Sequence, residues 1–132
     1  MLGVGKPMDQ DWAMKTREIF FALGDPTRFK IMETLALDGP MVALDIASMF
    51  ETSRGAVAQH LKILKDAGLV ESEALQRFRV YRIRTEGFEE IEDWVISSRK
   101  LWANSRNRDP IKPEEQMTRA FKRSRPRAGP FT

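Results

Sequence analysis

A mainly α-helical domain carrying one small β-hairpin, with elements in the order α-α-α-α-β-β-α, is the fold this sequence predicts. Three observations carry the prediction. Apolar residues recur at helical spacing in four segments before Gly68 and in one after Thr85. Two short β-prone runs lie between those groups. The breaks between segments fall on Gly, Pro, Asp and Ser, the residues that stop or start elements. The chain has 132 residues, room for one domain of common size and a tail.

Asp11 to Leu23 places Trp12, Ile19, Phe20 and Leu23 on a helical stripe, and Gly24 supplies a stop. Asp25-Pro26 restarts a helix at once. The Asp25 carboxylate accepts from free backbone N–H groups, and Pro26 in the first turn gives up no bond the helix needs. Phe29, Ile31, Met32 and Leu35 form its buried stripe up to about Leu37, and Asp38-Gly39-Pro40 ends it. Ala43 to Phe50 reads as a short helix with Leu44, Ile46, Ala47 and Phe50 on its apolar side. Glu51-Thr52 is a tight connection, Ser53 caps the next helix, Arg54 to Ala67, and Gly68 ends it. Val57, Leu61 and Leu64 recur at i, i+4, i+7 and turn inward, which leaves Arg54, Gly55, Ala58, Gln59 and Lys62 outside. Two helices joined by a three- or four-residue turn, the second with small and polar residues on its outer N-terminal face, form the helix-turn-helix pattern.

Leu69 to Leu75 and Arg77 to Arg84 are the two β-prone runs. Arginines fall on both faces of the second, so the hairpin reads as a wing and not as the core of a sheet. Glu86 to about Asn104 is a long helix with Phe88, Ile91, Trp94, Val95, Leu101 and Trp102 on one broad stripe. The domain organisation is thus a mobile N-terminal arm over 1–10, a winged helix-turn-helix domain over 11–104, and a basic, mobile tail over 105–132 with a short helix around Glu114 to Arg123.

Composition removes several function classes. Hydrophobic residues make up 42% and charged residues 31%, as in a soluble globular protein. The absence of cysteine excludes disulfides, zinc–thiolate and iron–sulfur sites and any thiol nucleophile. The single histidine, His60, cannot build a multi-histidine metal site, so neither metal nor cofactor is expected. No apolar run is long enough to span a membrane, and Met1 to Gln10 lacks the apolar core of a signal peptide, so the expected address is cytoplasmic. No Ser/His/Asp, carboxylate-pair or phosphate-loop arrangement points to an enzyme. The net charge of +3 is unevenly spread. Arg54, Lys62, Lys65, Arg77, Arg79, Arg82 and Arg84 face only Asp66, Glu71 and Glu73 between Ser53 and Thr85, whereas Glu86 to Ile96 is purely acidic. A basic block beside an acidic one suggests one face for a polyanion and another for something else.

Phe21-Ala22-Leu23-Gly24-Asp25-Pro26-Thr27-Arg28, Ile46-Ala47, Ser53-Arg54, Gln59-His60-Leu61-Lys62-Ile63-Leu64-Lys65-Asp66-Ala67-Gly68-Leu69-Val70 and Val80-Tyr81-Arg82-Ile83 together resemble the ArsR/SmtB family of bacterial transcriptional repressors. The resemblance runs from about Trp12 to Trp102. It implies a dimeric winged-helix repressor whose helix from Arg54 lies in the DNA major groove, with a dimer interface made by the first and last helices. The family's metal sensors carry cysteines in the helix before the recognition helix, or His and acidic pairs on the last helix. Here Leu44-Asp45-Ile46-Ala47-Ser48 holds no thiol, and the last helix has Glu89, Glu90, Glu92 and Asp93 but no histidine. The sequence is therefore most similar to the subgroup without recognisable metal ligands. It also lacks the glycine common at the family's wing tip.

The expected DNA-binding residues are Ser53, Arg54, Gly55, Ala58, Gln59, His60, Lys62, Lys65, Arg77 and Arg79. Gln and Arg side chains make bidentate contacts to adenine and guanine, while Gly55 and Ala58 allow close approach. Arg77 and Arg79 reach phosphate or the minor groove from the wing. His60 has two open roles, a structural hydrogen bond or a phosphate contact. Trp12, Ile19, Phe88, Ile91, Trp94, Val95, Leu101 and Trp102 are the expected homodimer interface, because two terminal helices this rich in aromatics exceed what one small core encloses; a ligand pocket between them is the other reading. Arg119, Lys122, Arg123, Arg125 and Arg127 in the tail either add DNA affinity or only solubilise. The expected partners are an operator in double-stranded DNA and a second copy of the chain, with the inducer unknown. The competing function is a dimeric winged-helix module that docks a protein instead of DNA; the basic balance over helix and wing weighs against it.

Overall fold

The computed structural model describes residues 10–105 and 113–123, with backbone alone for 10–13, 115, 116 and 123. The chain forms two compact units, Met1–Ser98 and Arg99–Thr132. In the first, α1 (Gln10–Leu23) and α2 (Pro26–Asp38) precede a two-residue strand β1 (Met41–Val42) and a short helix α3 (Ala43–Ala47). The helix α4 (Arg54–Asp66), the hairpin β2 (Val70–Leu75) and β3 (Phe78–Ile83), and the long helix α5 (Thr85–Ala103) follow. The division between units falls inside α5. The second unit holds the end of α5 and α6 (Pro113–Arg123). The basic tail thus contains a helix where one was expected, while 106–112 and 124–132, like the arm over 1–9, lie outside the described residues. Gln10, assigned to the arm, begins α1.

The local signals act as expected at three boundaries. Asp25 Oδ2 accepts from the backbone N–H of Thr27 and Arg28 at 2.9 and 3.1 Å, and Pro26 opens α2. Ser53 Oγ accepts from Ala56 N–H at 3.1 Å and so caps α4. Gly68 follows α4 at φ +80°, a conformation that favours glycine.

The core is Ile19, Ala22, Ile31, Met32, Leu35, Ile46, Val57, Leu61, Leu64, Ala67, Leu69 and Val70, drawn from α1 to α4 and the start of the wing. Tyr81, Ile83, Phe88 and Ile91 pack against it. Two residues expected in the buried stripes are exposed instead, Phe29 at 51% and Leu44 at 48%. α2 buries Arg28, Ile31, Met32 and Leu35, which turns Phe29 out of the buried row. The α5 helix starts hard against the loop after α4: a Cβ on Gly87 would stand 2.7 Å from the Gly68 carbonyl oxygen.

The turn and the sheet both depart from what the sequence predicts. α3 stops at Ala47, and Ser48 to Ser53 form a six-residue connection, not a helix running to Phe50. Met49 and Phe50 donate to Ile46 and Ala47 carbonyls three residues back, a tighter winding than the α-helix, and Ser48 Oγ donates to the Asp45 carbonyl at 2.7 Å. The hairpin also gains a third strand, in sheet order β1-β3-β2, with Met41 opposite Tyr81 and Val42 opposite Val80. In the hairpin Val70 pairs with Ile83 and Leu75 with Phe78, leaving Gln76 and Arg77 as the turn. Arg77 is thus a tip residue and not the first residue of a strand. With no glycine available, Gln76 takes the positive φ of +58° that the reversal requires.

Candidate nucleic-acid interface

α4 is oriented by its inner face. Val57, Leu61 and Leu64 are buried, and Arg54, Gly55, Ala58, Gln59, Lys62 and Lys65 are all exposed on the other side. Ser53, also exposed, contributes its hydroxyl to the cap. Arg54 and Gln59 make no side-chain hydrogen bond or ion pair among the described residues. Both are therefore free to meet base edges, and Gly55 and Ala58 between them keep that surface low. Lys62 Nζ sits 2.8 Å from Asp66 Oδ2, an exposed i,i+4 pair that offsets part of its charge.

The wing adds cations in an ordered way. One hairpin face carries Ser72, Arg79, Tyr81 and Ile83, and the other carries Glu71, Glu73 and Arg82. On the first, Lys65 Nζ and Arg79 Nη1 both donate to Ser72 Oγ, at 3.1 and 3.2 Å. Two cations sharing one neutral acceptor, neither paired with a carboxylate among the described residues, retain charge to offer a phosphate. On the second face Arg82 binds Glu73 and lies 3.7 Å from Glu71, and the carboxylates hold its guanidinium more firmly protonated than usual. Arg84 pairs with Glu86 at 3.4 Å. The sequence counted these four wing arginines in one basic block; the structure separates Arg77 and Arg79 from the two that acids neutralise. Arg77 lies over the Phe78 ring, 5.5 Å from its centroid, at the tip.

His60 points inward on one edge. Its Nδ1 is 3.1 Å from Arg28 Nη1 and 3.8 Å from Asp25 Oδ2, and its side chain is 24% exposed. Arg28, which no local signal in the sequence marks as a site residue, is 6% exposed. Asp25 titrates below its ordinary value of 3.8, mainly because the Arg28 backbone N–H bonds the carboxylate; partial burial works the other way and the Arg28 charge adds to the lowering. A carboxyl with a depressed native pKa stabilises above its unfolded pKa and loses that contribution as the pH falls through the native value. Asp25→Ala is thus expected to lower the thermal midpoint at pH 7, with the gap to wild type closing below about pH 3.8. Thermal unfolding at pH 7, 5 and 3 checks this; a gap that stays constant contradicts it.

The residues expected at a dimer interface divide. Ile19 is corrected: at 0% exposure it belongs to the single-chain core, because α1 turns Thr16, Ile19 and Ala22 inward together. Phe88 and Ile91 are partly buried against that core. Trp94 and Val95 are exposed, and Trp94 meets Phe20 of α1 edge-on, with centroids 5.2 Å apart and rings at 77°. Leu101 and Trp102 are exposed in the second unit. The side chain of Trp12 lies outside the described residues. In the tail, Arg119 and Lys122 are exposed on α6; the side chain of Arg123 and all of Arg125 and Arg127 fall outside the description. No helix among the described residues is long and apolar enough to cross a membrane.

The pattern that defines bacterial regulatory proteins of the arsR family matches residues 25–72, which run from the α2 cap through α4 into β2. The chain is 34% identical over 79 residues to the transcriptional repressor SdpR of Bacillus subtilis, spanning 60% of this chain and 87% of that protein. It is 33% identical over 72 residues to the arsenical resistance operon repressor of the same organism, covering 54% and 69%. Among solved structures, an ArsR family transcriptional regulator superposes with a TM-score of 0.66 at 28% identity, covering 70% of this chain and 95% of the other. HlyU from Vibrio cholerae superposes at 0.55, also with 28% identity, over 64% and 91%.

Proposed function

This chain belongs to the arsR family of bacterial regulatory proteins and is a transcriptional regulator, not an enzyme; from that premise we propose that it is a homodimeric repressor of a pseudo-palindromic operator, acting without metal or thiol sensing. The observation that carries the reading is the outer face of α4, where Arg54, Gly55, Ala58 and Gln59 are exposed, together with the cluster in which Lys65, near the end of the same helix, meets Ser72 and Arg79 of the wing. One helix thus offers side chains suited to reading bases and, through Lys65, joins a wing whose cations suit phosphates, the two components of specific DNA binding. In a twofold dimer, two such helices address half-sites about 34 Å apart, one turn of DNA. The occupied site then excludes polymerase sterically. Nuclease footprinting on DNA upstream of the chain's own gene tests the reading; a scrambled duplex bound as tightly as every upstream segment rejects it.

Dimerisation is assigned to α5 of the first unit, through Trp94 and Val95. Trp94 is already engaged with Phe20 in its own chain, so Val95 is the cleaner position to probe. Val95→Arg places a charge where apolar contact is proposed. Light scattering at micromolar concentration is expected to give twice the chain mass for wild type and a shift toward one chain mass for the variant. A wild-type chain that stays monomeric contradicts the assignment.

The absence of metal sensing rests on a ligand inventory of no cysteine and one histidine. That histidine faces a guanidinium, a poor setting for a cation. Stoichiometric zinc, cadmium, arsenite or copper is expected to leave operator affinity unchanged within about threefold. A tenfold change, about 1.4 kcal/mol of coupling, overturns this part of the reading.

A further inference from the structure

Arg28 is a cation in the interior, 6% exposed, held by three acceptors. Its Nε donates to the Ala22 carbonyl at 2.7 Å and its Nη2 to the Phe21 carbonyl at 3.2 Å, while the guanidinium lies 5.2 Å from the Phe21 ring centroid. Phe21 and Ala22 belong to the last turn of α1, at the negative end of its dipole, and the Phe21 carbonyl also accepts from the Gly24 N–H at 3.2 Å. The remaining arm of the fork, Nη1, meets His60 Nδ1 on α4 at 3.1 Å. One side chain of α2 therefore ties the end of α1 to the helix that carries the base-reading face.

The chemistry of this contact fixes the histidine. A guanidinium has five donors, no acceptor, and does not lose its proton in proteins. At 3.1 Å the contact is a hydrogen bond only if His60 Nδ1 accepts, which leaves the proton of the neutral ring on Nε2. Asp25 does not reverse the assignment. Its Oδ2 is 3.8 Å from Nδ1, beyond hydrogen-bond range, and is already occupied by the backbone N–H groups of Thr27 and Arg28. With Nδ1 turned to the interior, Nε2–H lies on the opposite edge of a ring that is 24% exposed.

We infer that Arg28 is a positioning residue for DNA binding: it holds His60 on α4 so that the imidazole presents its Nε2–H as a donor to a backbone phosphate. The inference rests on the operator-binding reading above and adds to it a residue outside the DNA-facing surface. It also joins the two roles the sequence left open for His60, one for each ring nitrogen.

The test uses the full chain, with an operator duplex and a scrambled duplex titrated at several salt concentrations. His60→Asn keeps an acceptor near the Nδ1 position and removes the group at Nε2. It is expected to fold as wild type, to lose about tenfold in affinity on both duplexes, and to flatten the salt dependence by about one phosphate contact. Arg28→Met is expected to show the same loss and flattening, and the double variant no more than either single one, because both remove one contact. Nitrogen-15 NMR of the DNA-free wild type at alkaline pH is expected to show Nδ1 without a proton and Nε2 with one, and to show ring reorientation in Arg28→Met. If Arg28→Met fails to fold, His60→Asn and the wild-type spectrum decide alone. A proton on Nδ1, or His60→Asn with unchanged affinity and salt slope, overturns the inference while operator binding by wild type stands. A wild-type chain that binds no duplex overturns the DNA reading and this inference with it.

Discussion

Leu61→Ala is expected to lower the unfolding free energy by about 2–5 kcal/mol, a large share of what a domain of this size possesses. Leu61 is 2% exposed and sits between Val57 and Leu64 on the inner face of α4, packed into the core that joins α1, α2 and the wing. Truncation removes its transfer energy and leaves a cavity that a three-helix junction closes poorly. Urea unfolding followed by circular dichroism measures the loss, with the slope of the transition expected to stay constant. The variant is informative about function too. At a temperature where it remains folded, its preference for operator over scrambled duplex is expected to survive, because the outward face of α4 is untouched. A loss under about 1 kcal/mol means that α4 is not anchored where the core places it.

The helix-turn-helix was legible because its signals are local. Ser53 as cap, the i, i+4, i+7 row of Val57, Leu61 and Leu64, and Gly68 as terminator all lie within sixteen residues and need no knowledge of the rest of the chain. The exposed set on α4 followed from that inner row by geometry alone. The features that local signals do not encode depend on distant partners. β1 is two residues long, too short for alternation to register, and exists because β3 lies beside it some forty positions later. Nothing local marks Arg28 for burial, since charged side chains are seldom buried; only the joint arrival of the α1 carbonyls and His60 explains it. Ile19, expected at a dimer interface, is buried in the core for a similar reason. α1 carries apolar residues on more than one side, with Ile19 and Ala22 inside and Met14, Phe20 and Phe21 exposed, so periodicity alone could not choose which side met the core.

The wing shows where a charge count misleads. Arg79 and Arg82 lie three residues apart and are indistinguishable in composition, yet the pleat sends them to opposite faces. Arg82 meets Glu71 and Glu73, and Arg79 meets Lys65 and Ser72. The cationic surface beside α4 is therefore smaller than the sequence suggested, and more directed. If operator binding is as proposed, the sequence-independent part of the affinity is expected to rest on a few phosphate contacts, with more of the selectivity left to the helix face.

Gln59→Ala is accordingly expected to cost about 1–3 kcal/mol on the operator and to relax preference at one base pair per half-site, with stability unchanged. Gln59 is exposed on the outer face of α4, two positions before the buried Leu61, so its removal disturbs no core contact. A Gln amide pairs bidentately with one adenine edge, and that contact is lost only on the cognate sequence. Arg77→Ala at the wing tip, where the guanidinium stacks on Phe78, serves as the contrasting variant. It is expected to weaken operator and scrambled duplexes alike and to reduce the salt slope by about one, the signature of a phosphate contact. Titrating both variants on both duplexes at two salt concentrations separates base reading from phosphate holding. If Gln59→Ala lowers affinity for the two duplexes equally, Gln59 does not read a base, and the outer face of α4 binds DNA by charge and shape alone.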